Sequence, residues 1–356
     1  MDSSSSSDRL RIIDANANRA REGIRTTEDY IRFALGNGRW SRQLKSIRHA
    51  ITAILQIAFA GRSLIGSRSA GSDLGRPEDA PNTDAEPHIY KESSKEVAQR
   101  GAKRAQEALR VLEEYLRAEQ PAASLQLSRH RYELYEAEQW LLGPGDAARI
   151  LASAQVYVLL TESLCKQGLI TTAEAVLRGG AKVLQLREKD QTDHAYLAQA
   201  RNLRVLCDQF GSVLICNDRV DLALSADAPG VHLGQNDLSV LEARQVAGEK
   251  LLIGRSTHSV EQARYAAESE RADYIAIGAL YETSTKRGRV LIGLNVAAQV
   301  FALRLEIPVY AIGGITHGRV GELKAAGVNR IAVSSAIILD RDPETATKRM
   351  IEAMAS

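Results

Sequence analysis

From Gln155 onward, short apolar runs rich in β-branched residues recur at nearly even spacing: QVYVLLT, VLQLREK, VLICND, GVHLG, LLIGRS, YIAIGAL, VYAIGGI and RIAVSSAII. Each run is followed by a segment of helical periodicity, so the pattern is strand then helix, eight times over. Eight such units in about 200 residues match the size of a (β/α)8 TIM barrel. Right-handed crossovers make all the strands parallel and bring their C-terminal ends to one rim.

Polar residues collect at that rim. They are Gln185, Arg187 and Lys189 on the second run, Asn217 and Asp218 on the third, and Asp237 after the fourth. Ser256 ends the fifth, Thr283, Thr285 and Lys286 follow the sixth, Gly313 and Gly314 end the seventh, and Ser334 and Ser335 lie in the eighth. Buried parallel strands have no packing reason to end this way. The C-terminal rim of a barrel is where an active site is built.

Neighbouring strands lie about 4.8 Å apart, so Asp218 and Asp237 are placed to converge on one hard cation. A two-carboxylate site suits Mg2+, which keeps waters and shares itself with substrate phosphates. In QLREK the period of two puts Gln185, Arg187 and Lys189 on one side. Two cations beside such a metal site suit a diphosphate, and Lys286 in TKRGR is placed to close over it. AIGGI and AVSSA resemble a phosphate cradle, in which glycines let backbone N–H groups approach an anion. With two anion sites and no Ser-His-Asp set or acid–base pair, the chemistry implied is metal-assisted departure of diphosphate from one substrate, with a second phosphorylated substrate as the acceptor of the remaining group. His232, within a strand, and His258, just past one, read as packed or capping histidines.

A net charge of +2 gives no global reason to expect nucleic acid or an anionic membrane. The longest apolar run, ITAILQIAFA, is about half the ~20 residues of a membrane span. Cys165, Cys207 and Cys216 lack metal-ligand or disulfide spacing and read as thiols of a reducing cytoplasm. The serine-rich start, 1–8, reads as a disordered tail without the apolar core of a signal peptide.

Before about residue 145 the texture is all-α, giving an expected helical domain over 9–145, a linker over 146–154 and the barrel over 155–356. The helical half contains a repeat: ANRAREGIRTTEDYIR (17–32) aligns without gaps on AKRAQEALRVLEEYLR (102–117). The arrangement expected is two helical hairpins related by a pseudo-twofold. The repeated Arg and Glu residues read either as a solvated helix face or as a partly buried ionic cluster, at the hairpin interface or at a phosphate site. Between the copies, 67–88 is loop by composition, with Arg68, Asp73 and Gly75 at its start.

At QLREKD, CNDRVDLAL, GVHLGQNDL, IGRSTHS, YETSTK, AIGGI and AVSSAI, in this order, the chain resembles the thiamine-phosphate synthase family over 155–356. The resemblance implies joining of hydroxymethylpyrimidine diphosphate to hydroxyethylthiazole phosphate, giving thiamine phosphate and diphosphate. It implies Mg2+ on Asp218 and Asp237. Gln185, Arg187, Lys189, Asn217, Ser256 and Lys286 would hold the pyrimidine diphosphate, with Arg187, Lys189, Ser256 and Lys286 in the catalytic role. Thr283, Ser284, Thr285, Gly314, Ser334 and Ser335 would hold the thiazole phosphate. The implied mechanism is dissociative, through a methylene cation that the thiazole nitrogen captures. Glu282, where the family has proline, and Arg255, beside Ser256, depart from the pattern.

The helical half resembles a domain fused to this synthase and associated with hydroxymethylpyrimidine-phosphate kinase activity, through ANRAREGIRTTEDY, DLG (73–75) and KRAQEALRVLEEY. That resemblance implies ATP as a further partner, although no GxxxxGK[ST] loop is present. The alternatives are a thiazole tautomerase-like barrel and a helical half that is a non-catalytic dimerisation module. The sequence leaves oligomeric state open, a homo-oligomer included.

Overall fold

The computed structural model describes residues 3–60, 93–282 and 291–356, with the side chains of 3–7 outside that description. The chain divides into two compact units, Met1–Leu142 and Gly143–Ser356. The first contains helices α1 (Ser3–Phe33), α2 (Gly38–Ala58), α3 (Ser94–Leu116) and α4 (Pro121–Leu142). Instead of a tail over 1–8, the backbone is helical from Ser3. Once a helix is nucleated, poor formers such as serine extend it at small cost. The loop 67–88, with Arg68, Asp73 and Gly75, lies outside the described residues.

Small residues let α1 and α3 approach closely. A Cβ on Gly101 would stand 2.8 Å from the Gly23 carbonyl oxygen, and Thr27 donates its hydroxyl to Ala98 O at 2.9 Å. Apolar side chains at helical spacing, among them Ile13, Ile24, Ile31, Leu109, Leu112 and Leu116, are buried with Trp40 and Trp140. The repeat divides by position, so each reading of its charges holds at different residues. Glu28 and Glu113, at equivalent places, are each 2% exposed. They pair with arginines of the following helix, Arg48 at 3.3 Å and Arg131 at 2.5 Å. Arg19, Glu22 and Arg25, with Arg104, Glu107 and Arg110, lie on the solvent face.

The second unit is a closed parallel barrel in sequence order, β1 to β8. Its strands are β1 (Val156–Leu160), β2 (Val183–Leu186), β3 (Val213–Asn217), β4 (Gly230–Leu233), β5 (Leu252–Thr257), β6 (Tyr274–Gly278), β7 (Val309–Ile312) and β8 (Ile331–Val333). Around it run α6 (Leu169–Arg178), α7 (Asp193–Gln209), α8 (Val220–Ser225), α9 (Val240–Ala247) and α10 (Val260–Arg264). They continue with α11 (Gly293–Ala302), α12 (Val320–Ala325), α13 (Ser335–Ile338) and α14 (Pro343–Ala355).

Alternation sorts each strand into two cores. Tyr157, Leu159, Val183, Ile215, Leu252, Tyr274 and Tyr310 pack together inside the barrel. Val158, Leu160, Leu184, Leu214, Ile253, Ile275 and Ile277 face the helices. The stretch expected as a linker over 146–154 is instead helix α5 (Gly145–Ser153). It belongs to the barrel: Ala147, Leu151 and Ala154 join the interior cluster, and Tyr310 donates its hydroxyl to Leu151 O (2.6 Å) and Ala154 O (3.0 Å). The apolar face of α5 closes the base of the barrel. The three cysteines are free and buried.

Candidate active site

The rim is built from strand ends and the first residues beyond them. Asn217 ends β3, and Asp218 turns the chain away with φ at +63° while its N–H still bonds His232 O of β4 at 2.9 Å. Asp237 stands in the loop after β4, its Oδ2 accepting from the Gly234 N–H at 2.6 Å. The two carboxyls face each other. Burial first, and then the Asp237 carboxyl, push the Asp218 carboxyl up from the ordinary range, and Lys189 partly offsets this. Lys189 Nζ lies 3.2 Å from Asp218 Oδ2. Two facing carboxylates that repel each other in a half-buried cleft are relieved by a divalent cation. A pair of facing carboxylates is a donor set that suits Mg2+, which takes one or two carboxylates and completes its shell with phosphate and water.

Arg187 and Lys189 lie beyond β2, which ends at Leu186, although the Arg187 N–H continues the ladder to Leu160 O at 2.9 Å. Asn217 is 6% exposed, and its side-chain Nδ2 has no hydrogen-bond partner among the described residues. A buried amide donor left in this state at a rim suits a ligand acceptor.

Inside the barrel, polar groups link opposite sides of the rim. Gln185 donates from Nε2 to the Tyr157 hydroxyl at 2.6 Å, and Tyr157 and Tyr274 share a hydrogen bond at 3.1 Å. The Tyr274 hydroxyl meets His232 Nδ1 at 3.1 Å, and His232 Nε2 meets Ser256 Oγ at 3.0 Å. With Gln185 donating at one end, every donor runs in one direction if His232 is protonated on Nε2, and Ser256 keeps its hydroxyl hydrogen for a ligand. Burial pushes both phenols up, so they remain protonated. His232 is a packed histidine, as its sequence context suggests, and it also orients Ser256. The roles of Tyr157 and Tyr274 were not visible in the sequence, where they pass for ordinary strand residues. His258 donates Nδ1–H to Gly278 O.

On the other side of the rim, Gly313 and Gly314 have φ of +107° and +62°. A Cβ on Gly314 would stand 2.8 Å from the Tyr281 Cβ, so the bare backbone is needed there. Ser334 donates its hydroxyl to Leu159 O at 3.0 Å. The two serines expected in the eighth strand lie beyond it: β8 stops at Val333, and Ser335 opens α13. Arg319 sits 4.0 Å above the Tyr281 ring and bonds Gly314 O, bracing this corner. Thr283, Ser284, Thr285 and Lys286 lie outside the described residues.

Residues 156–337 match the family model for thiamine monophosphate synthase, and residues 11–140 match the ThiD2 family. A thiamine-phosphate synthase of Synechocystis sp. is 38% identical over 346 residues, which is 97% of this chain and 96% of that protein. One of Nostoc sp. is 36% identical over 345 residues, 97% and 93% of the respective chains. Among solved structures, a thiamine phosphate pyrophosphorylase from Pyrococcus furiosus aligns with a TM-score of 0.53 at 30% identity, covering 58% of this chain and 98% of that one. The curated relatives thus extend over both halves. On a barrel whose rim carries the expected carboxylates, cations and glycines, these matches have one meaning: the chain belongs to the thiamine-phosphate synthase family of transferases, in a form with an N-terminal ThiD2 region.

Proposed function

We propose that the rim binds hydroxymethylpyrimidine diphosphate and hydroxyethylthiazole phosphate face to face and joins them with loss of diphosphate. The observation that carries this reading is the convergence of Asp218 and Asp237 with Lys189 against Asp218. Asp218 and Asp237 would hold Mg2+, which when bound spreads the charge that builds on the departing diphosphate. Arg187 and Lys189 add fixed positive charge on the same side, and the unpartnered Asn217 amide supplies a donor. Gln185 and Ser256, held at the two ends of the interior chain, fix the pyrimidine. Gly314, Ser334 and Ser335, with Thr283, Ser284 and Thr285, hold the thiazole phosphate, and Lys286 completes the diphosphate site. No protein nucleophile is required, because a dissociative step leaves the methylene cation to the thiazole nitrogen. The thiazole tautomerase alternative has no use for two carboxylates and their cations.

For the ThiD2 region we favour hydroxymethylpyrimidine-phosphate kinase activity with ATP, since it would supply the diphosphate that the barrel consumes. No described helix is long and apolar enough to cross a membrane, and with three free thiols a cytoplasmic location is the fitting one. Two assays test the reading. Chelation should abolish product formation and Mg2+ restore it in the wild type, but not in Asp218→Ala or Asp237→Ala; activity that survives chelation would rule out the metal role. Product from the pyrimidine monophosphate should require ATP; product from the diphosphate alone would leave the ThiD2 region without the kinase role.

A further inference from the structure

Arg255 is the unexpected residue of the rim. On β5 it stands between Gly254 and Ser256, so alternation sends its side chain out of the barrel interior, into the layer where Leu233, Ile253 and Ile275 are packed. It is 7% exposed there. An arginine in an apolar layer costs desolvation that only its contacts offset. One contact is Glu270, also buried, whose Oε2 lies 3.8 Å from Nε. The others belong to the loop that carries Asp237: Nη1 donates to Gly234 O and to Leu238 O, both at 2.8 Å.

Those carbonyls are the two ends of a five-residue loop. Inside it, Asp237 Oδ2 accepts the Gly234 N–H, the Asp237 N–H reaches back to Gly234 O at 3.3 Å, and Gln235 ties to Ser256 O. One nitrogen with two hydrogens therefore clamps both ends of the turn whose product is the direction of the Asp237 carboxylate. We propose that Arg255 is a positioning residue for the metal site, setting Asp237 against Asp218 through the Gly234 and Leu238 carbonyls. The proposal rests on the reading that these two carboxylates hold Mg2+. Groups that orient metal ligands affect metal affinity by about 10–100-fold when removed.

The test uses the full chain and Mn2+ as a spectroscopic probe, titrated in the presence of inorganic diphosphate. Arg255→Met removes the clamp but leaves Glu270 without its cation, and it is open to misfolding. Arg255→Lys keeps a charge but has one nitrogen where arginine has two at work, Nε facing Glu270 and Nη1 on both carbonyls, so it cannot serve the carboxylate and hold the clamp together, and it decides the matter. Arg244→Lys is the control: Arg244 is a largely buried arginine, its side chain 13% exposed against 8% for Arg255, that bonds Leu251 O at 2.7 Å and pairs with Asp273, with no tie to the Asp237 loop. Arg255→Lys should bind Mn2+ at least about tenfold more weakly. It should also raise the half-saturating Mg2+ concentration for turnover while kcat at saturating Mg2+ stays close to wild type. Arg244→Lys should leave Mn2+ affinity unchanged. Wild-type affinity in Arg255→Lys, or an equal loss in Arg244→Lys, overturns the proposal. A wild-type protein that binds no Mn2+ would instead overturn the carboxylate reading beneath it.

Discussion

Removing one hydroxyl from the barrel interior, with Tyr274→Phe, separates what the interior chain does for stability from what it does for the site. Tyr274 is 0% exposed, and its hydroxyl has Tyr157 and His232 as partners, each at 3.1 Å. Two hydrogen bonds at about 1 kcal/mol each put the loss near 2 kcal/mol. Tyr310→Phe is the comparison: that hydroxyl has one hydrogen, shared between Leu151 O and Ala154 O at the base of the barrel. Urea unfolding of the barrel should show a loss near 2 kcal/mol for Tyr274→Phe and about 1 kcal/mol for Tyr310→Phe. The kinetics should differ. Without Tyr274 the His232 ring loses one of the two hydrogen bonds that aim its Nε2 at Ser256. If about 1 kcal/mol of the loss falls on fixing Ser256, kcat/KM for the pyrimidine diphosphate drops about fivefold. Tyr310→Phe should leave kcat/KM at the wild-type value. Equal kcat/KM in the two variants would refute the positioning role of the chain.

Three further outcomes follow from the same structure. Asp218→Asn should stabilise the metal-free protein in thermal melts and abolish protection by Mg2+. Because the folded-state pKa is raised, the wild-type penalty is absent at low pH and grows as pH rises from the ordinary carboxylate range, about 4, through the folded value; the gain from asparagine should grow over the same window. Asn217→Leu removes a buried donor that has no partner among the described residues, so it should cost little stability while lowering kcat/KM at least about tenfold; a large stability loss with normal kinetics would contradict the ligand role. In the helical unit, Glu113→Leu strands the buried Arg131 and should cost about 3–5 kcal/mol in denaturant unfolding, whereas the exposed Glu22→Ala should stay within about 0.5 kcal/mol.

The barrel was legible in the sequence because burial on both faces gives each parallel strand an uninterrupted apolar run, and because polar residues interrupt those runs at one end only. Asp218 and Asp237 stood out for that reason. The interior chain did not, since tyrosine within VYVLL or DYIAIG is an ordinary β-former and only the closed barrel brings Tyr157 to Tyr274. Helix α5 escaped because its nine residues, which begin within GPGD, carry too little periodicity to separate a plug from a linker. The repeat in the helical half pointed to Glu28 and Glu113. Their burial was hidden because the arginine that pairs with each comes from the next helix, at positions the repeat does not relate. Arg255 looked like a mere departure from the family pattern until the loop it clamps was in view.

The most direct test of the central claim is product analysis with the purified full-length protein, hydroxymethylpyrimidine diphosphate, hydroxyethylthiazole phosphate and Mg2+, run beside an Asp218→Ala, Asp237→Ala double variant. The account predicts thiamine phosphate and diphosphate in equal amounts from the wild type and neither from the variant. No product from the wild type, or undiminished product from the variant, would contradict it.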